Sequence, residues 1–445
     1  MVSRALWQTF RALANRNYRR YASGALVSNT GTWMQRVGQD WLVLQLSGGS
    51  GVALGITTGL QFLPILLLSP YAGFIADRYP KQRVLLVTQL SMAVPAAVLG
   101  VLAVTGVAQT WHVYVLALLF GIGTAFDAPA RQSFVVEMVG PDDLANAVGL
   151  NSASFNLGRV LGPALAGGLI ALLGSGPEAT GWVILLNAAS YLAVVASLRA
   201  LDESRLHPSV PARRGTGAIR EGLRYVRGRP DLMMILAIVF FVGTFGLNFQ
   251  MTTALMATEV FDKGAGAYGL LGSIMAVGSL AGSLVAARRA KPRARLVVVA
   301  AVAFCAAEII AGLMPTYLTF AVWLPLVGVT ALTVITAANA TIQLTVAPEM
   351  RGRVASLYLM IFLGGTPVGA PVVGWVGEEF GARWTLIGGG GVALIGTVVA
   401  VIIFLRSSGL VVRAHVGRHS AMSVSPAGKA MSDTEGVARS KRASA

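Results

Sequence analysis

The chain has one cysteine, Cys305, in 445 residues. An intramolecular disulfide is therefore excluded, and a lone thiol inside an apolar run reads as a packing residue. There are only four histidines. His112, His207, His415 and His419 are scattered, with no metal-ligand spacing and no nucleophile elbow around them. A Gly-x-x-x-x-Gly-Lys-Ser/Thr run is also missing, which argues against ATP-driven work by this chain. Enzyme readings fail for want of parts. Charge is scarce as well: 12% of residues are Asp, Glu, Lys or Arg, about half the usual share in a soluble globular protein. Met1–Arg20 is basic and lacks both an apolar core and a small-residue cleavage site, so no removable signal peptide is expected.

What the chain does have is apolar length: 55% of its residues are hydrophobic. A hydrocarbon core about 30 Å thick needs roughly 20 apolar residues per helix. Runs of that kind lie near 21–46, 52–76, 84–105, 112–128, 144–173, 182–198, 232–257, 268–287, 296–314, 318–338, 354–376 and 384–405. None shows the alternation of a membrane β-strand. The expected fold class is an all-α membrane protein with twelve transmembrane helices in two pseudo-symmetric six-helix bundles.

Lys and Arg are retained on the cytoplasmic side during insertion. With both termini cytoplasmic, nearly all of the 35 cations fall in inner segments; Lys263 and Arg383 alone sit in outer loops, and Arg36 and Arg159 lie inside spans. The net charge of +16 is then a topological signal, and no nucleic-acid partner is expected. The segments expected are a cytoplasmic N-terminus (1–20), a six-helix bundle (21–198), a cytoplasmic linker (199–231), a second bundle (232–405) and a disordered cytoplasmic tail (406–445). In the linker, Ile219, Leu223 and Val226 share one helical face and Arg220, Arg224 and Arg227 another. That pattern fits an amphipathic helix on the inner leaflet, or a solvated linker whose arginines only enforce topology.

The halves echo each other. Gly121 and Gly328 are offset as Pro141-Asp142 and Pro348-Glu349 are, and Gly162-Pro163 falls on Ala370-Pro371 after a one-residue slip. Such repeats place a binding site between the halves at the midplane.

Motifs sharpen this. Gly73-x-x-x-Asp77-Arg78-x-x-Lys81-x-Arg83, read as a short loop between the second and third spans, resembles the signature of the major facilitator superfamily, with Pro80 in place of the usual second glycine. The resemblance implies a cytoplasmic latch: Asp77 faces a helix N-terminus and Arg78 meets an acid near the end of the fourth helix, where Asp127 stands. An ion pair that must break when the protein opens inward is a two-state element. The fifth span carries Gly149, Gly158, Gly162-Pro163 and Gly167-Gly168, similar to the motif of proton-coupled exporters, with the last glycine pair one residue late. Asn29-x-Gly31-x-Trp33-Met34-Gln35, Ala128-Pro129-Ala130-Arg131-Gln132, Asn151-x-x-x-Phe155-Asn156-x-x-Arg159 and Arg351-Gly352-Arg353 resemble the group that holds the enterobactin exporter and several macrolide and multidrug exporters. This likeness runs from about Arg11 to Leu405. One departure stands out: many drug–proton antiporters carry an arginine within the fourth span, and 112–128 has none, Arg131 lying past its end.

Polar groups kept in hydrocarbon cost on the order of 2.5–3.5 kcal/mol each at a helix centre. Arg36, Asp40, Arg159 and Glu308 are such groups and are the candidates for proton coupling. Arg36 and Asp40 lie one turn apart and can pair; Arg159 is a second partner for Asp40 or a contact for an anionic cargo. Asn29, Trp33, Gln35, Gln39, Trp41, Gln61, Asn151, Asn248 and Gln250 supply amide and aromatic surface for a cavity, or else pair between helices. The expected protein is a monomeric, multi-pass transporter of the cell membrane that exports a small amphiphilic organic molecule (drug, antibiotic or siderophore) by proton antiport. The lipid bilayer and the small-molecule substrate are its partners, and the proton gradient stands in for any cofactor. A proton-coupled importer and a non-transporting membrane receptor or scaffold are the alternatives.

Overall fold

Backbone amides in hydrocarbon have only each other as partners, so this composition must cross as helices. A computed structural model of the chain describes residues 9–207, 218–287, 294–408, 410–415 and 421–426. Residues 1–8 of the N-terminal segment, 208–217 of the linker and 427–445 of the tail lie outside the described residues. The first half contains α1 (Arg16–Ser47), α2 (Gly51–Arg78), α3 (Lys81–Val104), α4 (Thr110–Met138), α5 (Pro141–Leu172) and α6 (Pro177–Arg199). The linker contributes α7 (Ala218–Arg227). In the second half, α8 (Pro230–Phe241) and α9 (Phe249–Leu255) form one interrupted span with π-helical turns at Val242–Gly246 and Met256–Val260. After it come α10 (Ala265–Ala287), α11 (Ala294–Leu313), α12 (Tyr317–Thr345), the span made by α13 (Arg351–Gly364) and α14 (Thr366–Phe380), and α15 (Ala382–Ser407).

Eleven of these spans are long and apolar enough to cross a membrane by length and composition. The twelfth, α1, has 32 residues, and its Arg36, Asp40 and amides dilute its apolar character. Pro141 and Pro177 open α5 and α6, where a missing N–H costs nothing. Gly48, at φ 67°, closes α1.

Two expectations change here. The segment Gly73–Arg83 is not a loop: α2 runs to Arg78, α3 starts at Lys81, and only Tyr79 and Pro80 lie between them. The fourth helix continues through Pro129 to Met138, so Arg131 lies within it. Long apolar helices keep their backbone bonds as they leave the bilayer, so charge alone did not mark their ends. In the tail, where disorder is the sequence expectation, the described residues include two antiparallel strands, β1 (Leu410–His415) and β2 (Ala421–Pro426).

The start of α1 and the linker share one face of the bundle, the linker face, where Asn17 bonds the Asp202 backbone. Here α7 packs on the second half: Gly222 lies against Arg353, Glu221 pairs with Arg353 at 3.1 Å, and Val226 is buried. Arg220, Arg224 and Arg227 stay exposed.

The halves meet toward the opposite, distal face, and they meet backbone to backbone. A Cβ on Gly55 of α2 would lie 2.5 Å from the Ala370 carbonyl oxygen of α14, and one on Gly51 would lie 2.6 Å from that of Gly374. On the other side of the bundle, Gly167 of α5 faces Ala265 and Gly269 of α10, and Gly269 faces the Pro163 carbonyl. The hydrogen bonds that cross between the halves, described below, lie between the midplane and this face.

The α5 glycines divide. Gly158 lies against the Asn29–Thr30 backbone and Gly162 against Trp33 Cβ and the Thr30 carbonyl, whereas Gly149 and Gly168 have open space. Gly162→Leu therefore overpacks the α1–α5 contact, costing about 1–3 kcal/mol. Thermal unfolding in detergent should show a lowered midpoint for Gly162→Leu and an unchanged one for Gly149→Leu.

Candidate functional site

Just distal to the middle of α1, two guanidiniums share one indole. Arg36 lies 4.7 Å from the Trp33 ring centroid and 5.8 Å from that of Phe62, and Arg159 of α5 lies 5.6 Å from the same Trp33 ring. Phe155 meets Trp33 edge-on at 5.6 Å. Cation–π attraction holds both charges there. Arg36 Nη1 donates to Gln250 Oε1 at 3.4 Å, across the two halves, and its buried Nε has no hydrogen-bond partner among the described residues.

The expected Arg36–Asp40 ion pair does not form among the described residues. Asp40 accepts instead from Tyr268 Oη of α10 at 2.9 Å. Both residues are buried, and Tyr268 stacks on Trp41 at 6.5 Å. A phenol that reaches Asp40 from the facing half fixes the carboxylate, while aromatic rings on the other side draw Arg36 away. Arg159 likewise turns to Trp33 rather than to Asp40. The Tyr268–Asp40 bond is thus a polar contact between the halves, made at a buried carboxylate.

A second network occupies the linker side of the first half. Asp127 pairs with Arg131 at 2.7 Å and accepts from Thr88 Oγ1 at 3.0 Å and Gln89 Nε2 at 2.7 Å. Arg131 also reaches Asn29 Oδ1 at 3.4 Å. This corrects two expectations. The acid reserved for Arg78 is satisfied by Arg131, one helical turn away, and the fourth span does carry an arginine, half-buried. Arg78 itself lies over the Phe74 ring at 5.7 Å, and Arg83 is exposed. Lys81 pairs with Glu137 at 2.6 Å, both buried, and ties the start of α3 to the end of α4.

The cavity candidates separate by burial. Trp33, Gln61, Asn151 and Gln250 keep part of their surface. Asn29, Gln35, Gln39, Trp41 and Asn248 are buried and serve structure. Asn29 donates to Ser154 at 3.1 Å, Gln35 accepts from Asn187 of α6, and Gln39 donates to Gln61 at 3.2 Å. Trp41 donates to the Ser175 carbonyl at 3.4 Å, and Asn248 satisfies the Thr244 carbonyl at 2.9 Å where the seventh span breaks. Glu308 of α11 is fully buried, and neither carboxyl oxygen has a hydrogen-bond partner among the described residues; it lies against Gly246, Gly389 and Gly390.

Sequence reasoning missed Tyr268 and the Lys81–Glu137 pair. A lone phenol in a span of small residues was the available signal for the first. A lysine and a glutamate at the ends of adjacent apolar runs was the signal for the second.

Breaking one side of a buried pair costs more than removing both. Glu137→Gln and Lys81→Met should each destabilise the protein by about 3 kcal/mol, and the double variant by clearly less than their sum. Detergent unfolding midpoints of the four proteins close that cycle.

Comparison with known proteins agrees with this architecture. The family model for transmembrane secretion effectors matches residues 8–419. The multidrug efflux pump Tap of Mycolicibacterium fortuitum is 29% identical over 374 residues, covering 82% of this chain and 90% of that protein. Macrolide efflux protein A of Streptococcus pyogenes is 23% identical over 369 residues, covering 80% and 89%. The staphyloferrin A transporter of Staphylococcus aureus is 35% identical over 153 residues, covering 34% and 38%. Among solved structures, a bacterial homolog of the human lysosomal transporter Spinster in an inward-facing, occupied conformation superposes with a TM-score of 0.64 at 18% identity, covering 88% of this chain and 97% of that one. A D-xylose–proton symporter gives 0.69 at 11% identity, covering 87% and 97%. With helix pairs, interrupted spans and buried charges arranged in this way, the chain is a multi-pass membrane transporter and not an enzyme, and it belongs to the transmembrane secretion effector family of the major facilitator superfamily.

Proposed function

We propose that the protein exports small amphiphilic organic molecules, of drug, antibiotic or siderophore type, by proton antiport with alternating access. Its relatives are named for multidrug, macrolide and staphyloferrin A transport, which supports this cargo range without selecting within it. The linker face is cytoplasmic on the distribution of cations, so the distal face is external and the structure is closed on the outside. The protein works as a monomer in the cell membrane, and the proton gradient supplies the energy.

The observation that carries the reading is the 2.9 Å bond from Tyr268 to Asp40. It joins the two halves at a carboxyl group embedded in the membrane. Ionised Asp40 accepts from Tyr268 and helps hold the outer side shut while cargo enters from the cytoplasm. Separation of the outer ends parts the two residues and opens Asp40 to an external proton. With that proton bound, the cargo leaves, the protein turns inward, and the proton is released to the cytoplasm. Beside Asp40, the Trp33 ring with Arg36, Arg159, Phe62 and Gln250 offers stacking surface and fixed donors to an amphiphile. On the inner side, Asp77 and Arg78 with Arg83 form the latch that engages when the cytoplasmic ends close, on a base that the Lys81–Glu137 pair fixes. Glu308 is the other embedded carboxyl group available to carry the proton.

Gradient-driven efflux of a fluorescent amphiphilic dye from energised cells tests this. Asp40→Asn should abolish protonophore-sensitive efflux while protein level and dye binding persist. Tyr268→Phe removes a hydrogen bond to a charged group, about 1.5–3 kcal/mol, and should slow efflux about tenfold or more. Unchanged efflux in Asp40→Asn would remove the proton from Asp40 and move it to Glu308.

A further inference from the structure

The outer seam carries one carboxylate that the mechanism above does not use. Glu378 lies near the end of α14, in the second half. Its Oε2 accepts from Ser50 Oγ at 2.7 Å and from the Val52 backbone N–H at 3.1 Å, both in the first half. Ser50 is the N-cap of α2, and its Oγ also accepts from the Ala53 N–H at 3.1 Å. A helix start leaves its first N–H groups without intrahelical partners and carries a partial positive charge. The cap of α2 is therefore completed by an acid from the opposite half.

The surroundings single out this contact. Glu378 and Ser50 line an outer cleft of about 640 Å³ together with Glu259 and Arg383. Arg383 is spent on the carbonyls of Gly312 at 2.9 Å and Met314 at 2.7 Å and lies over Phe261 at 6.0 Å. Glu259 is a second acid, set against Gly49. Among the described ion pairs none gives Glu378 a cation, so the start of α2 is its positive partner. Directly beneath it, Gly51 and Gly374 bring the two backbones into contact. That packing has no charge of its own and depends on the ends staying in register.

We infer that Glu378 is a gating residue: its carboxylate, bound to the N-terminus of α2, latches the outer side closed and must let go for the outward-open state to form. The inference rests on the alternating-access part of the proposed function and is independent of which carboxyl group carries the proton. Ser50 is the other half of the latch. The two residues act on the balance between states and do not contact the cargo in the closed form.

Spin-label distances in the full chain, reconstituted in lipid, test it. Cys305→Ser removes the only native thiol, and labels at Val107→Cys and Leu318→Cys sit on exposed positions of the first and second halves at the outer face. Glu378→Gln and Ser50→Ala should each raise the ratio of the long-distance to the short-distance population about three- to tenfold. The double variant should add little to either single change, because both break one contact. Two populations in the parent protein that neither variant shifts would overturn the latch and leave alternating access standing. Strictly additive shifts would also overturn it, since Ser50 and Glu378 would then act separately. A single distance in all four proteins, with and without a proton gradient, would remove alternating access and the latch with it.

Discussion

Close backbone contact between two pairs of helices governs the rest of this structure. Gly51 and Gly55 of α2 meet Ala370 and Gly374 of α14, and Gly167 of α5 meets Ala265 and Gly269 of α10. Side chains would hold these helices farther apart, and small residues let van der Waals contact do the work that the hydrophobic effect does in water. The seam closes the distal face and so decides which side the pathway faces. It also delivers two side chains across the divide: Tyr268 to Asp40 and Glu378 to the start of α2. Neither contact makes sense within one half alone.

The second constraint is that hydrocarbon satisfies no polar group, so a buried charge can find partners only in the protein itself. Asp127 is answered by Arg131, Thr88 and Gln89, and Lys81 by Glu137. These contacts are internal to the first half. Asp40 is answered across the divide, by Tyr268 of the second half. Arg36 and Arg159 are answered by the face of the Trp33 ring, and Arg36 also by Gln250 of the second half. Glu308 is answered by nothing among the described residues. The position of a polar group relative to the divide, rather than its burial, separates the contacts that stabilise one half from those that join the two.

Much of this was legible in the sequence because a bilayer demands length and continuity, and both are written locally. The spans and the pseudo-symmetric halves follow from apolar runs, cation placement and repeated residues, and the family resemblance rests on motifs such as Gly73-x-x-x-Asp77-Arg78 and Gly162-Pro163. Gly158, Gly162 and Gly167 fall on tight contacts as their pattern implied. Partner choice was less legible, because it depends on which helices touch. Arg36 and Asp40 have the right spacing to pair and do not, since Tyr268 arrives from a helix more than two hundred positions away. The resemblance implies Arg78 as the partner of Asp127, but the fourth helix runs ten residues past 128 to Met138, and with Arg131 inside it the nearer partner wins. Of the amides that either line a cavity or pair between helices, Gln35 bonds Asn187 and Asn248 bonds its own backbone. Composition cannot distinguish a lining amide from an interhelical one.

Exchange is the core of the proposed function, with a proton taken up at Asp40 as cargo leaves. Proteoliposomes loaded with a pH-sensitive dye and containing the purified full-length protein report this directly when ethidium, as an amphiphilic probe, is added to one side without any imposed pH gradient. The account predicts proton movement opposite to the ethidium flux, absent with Asp40→Asn. Ethidium flux with no proton movement, or proton movement in the same direction, would contradict it.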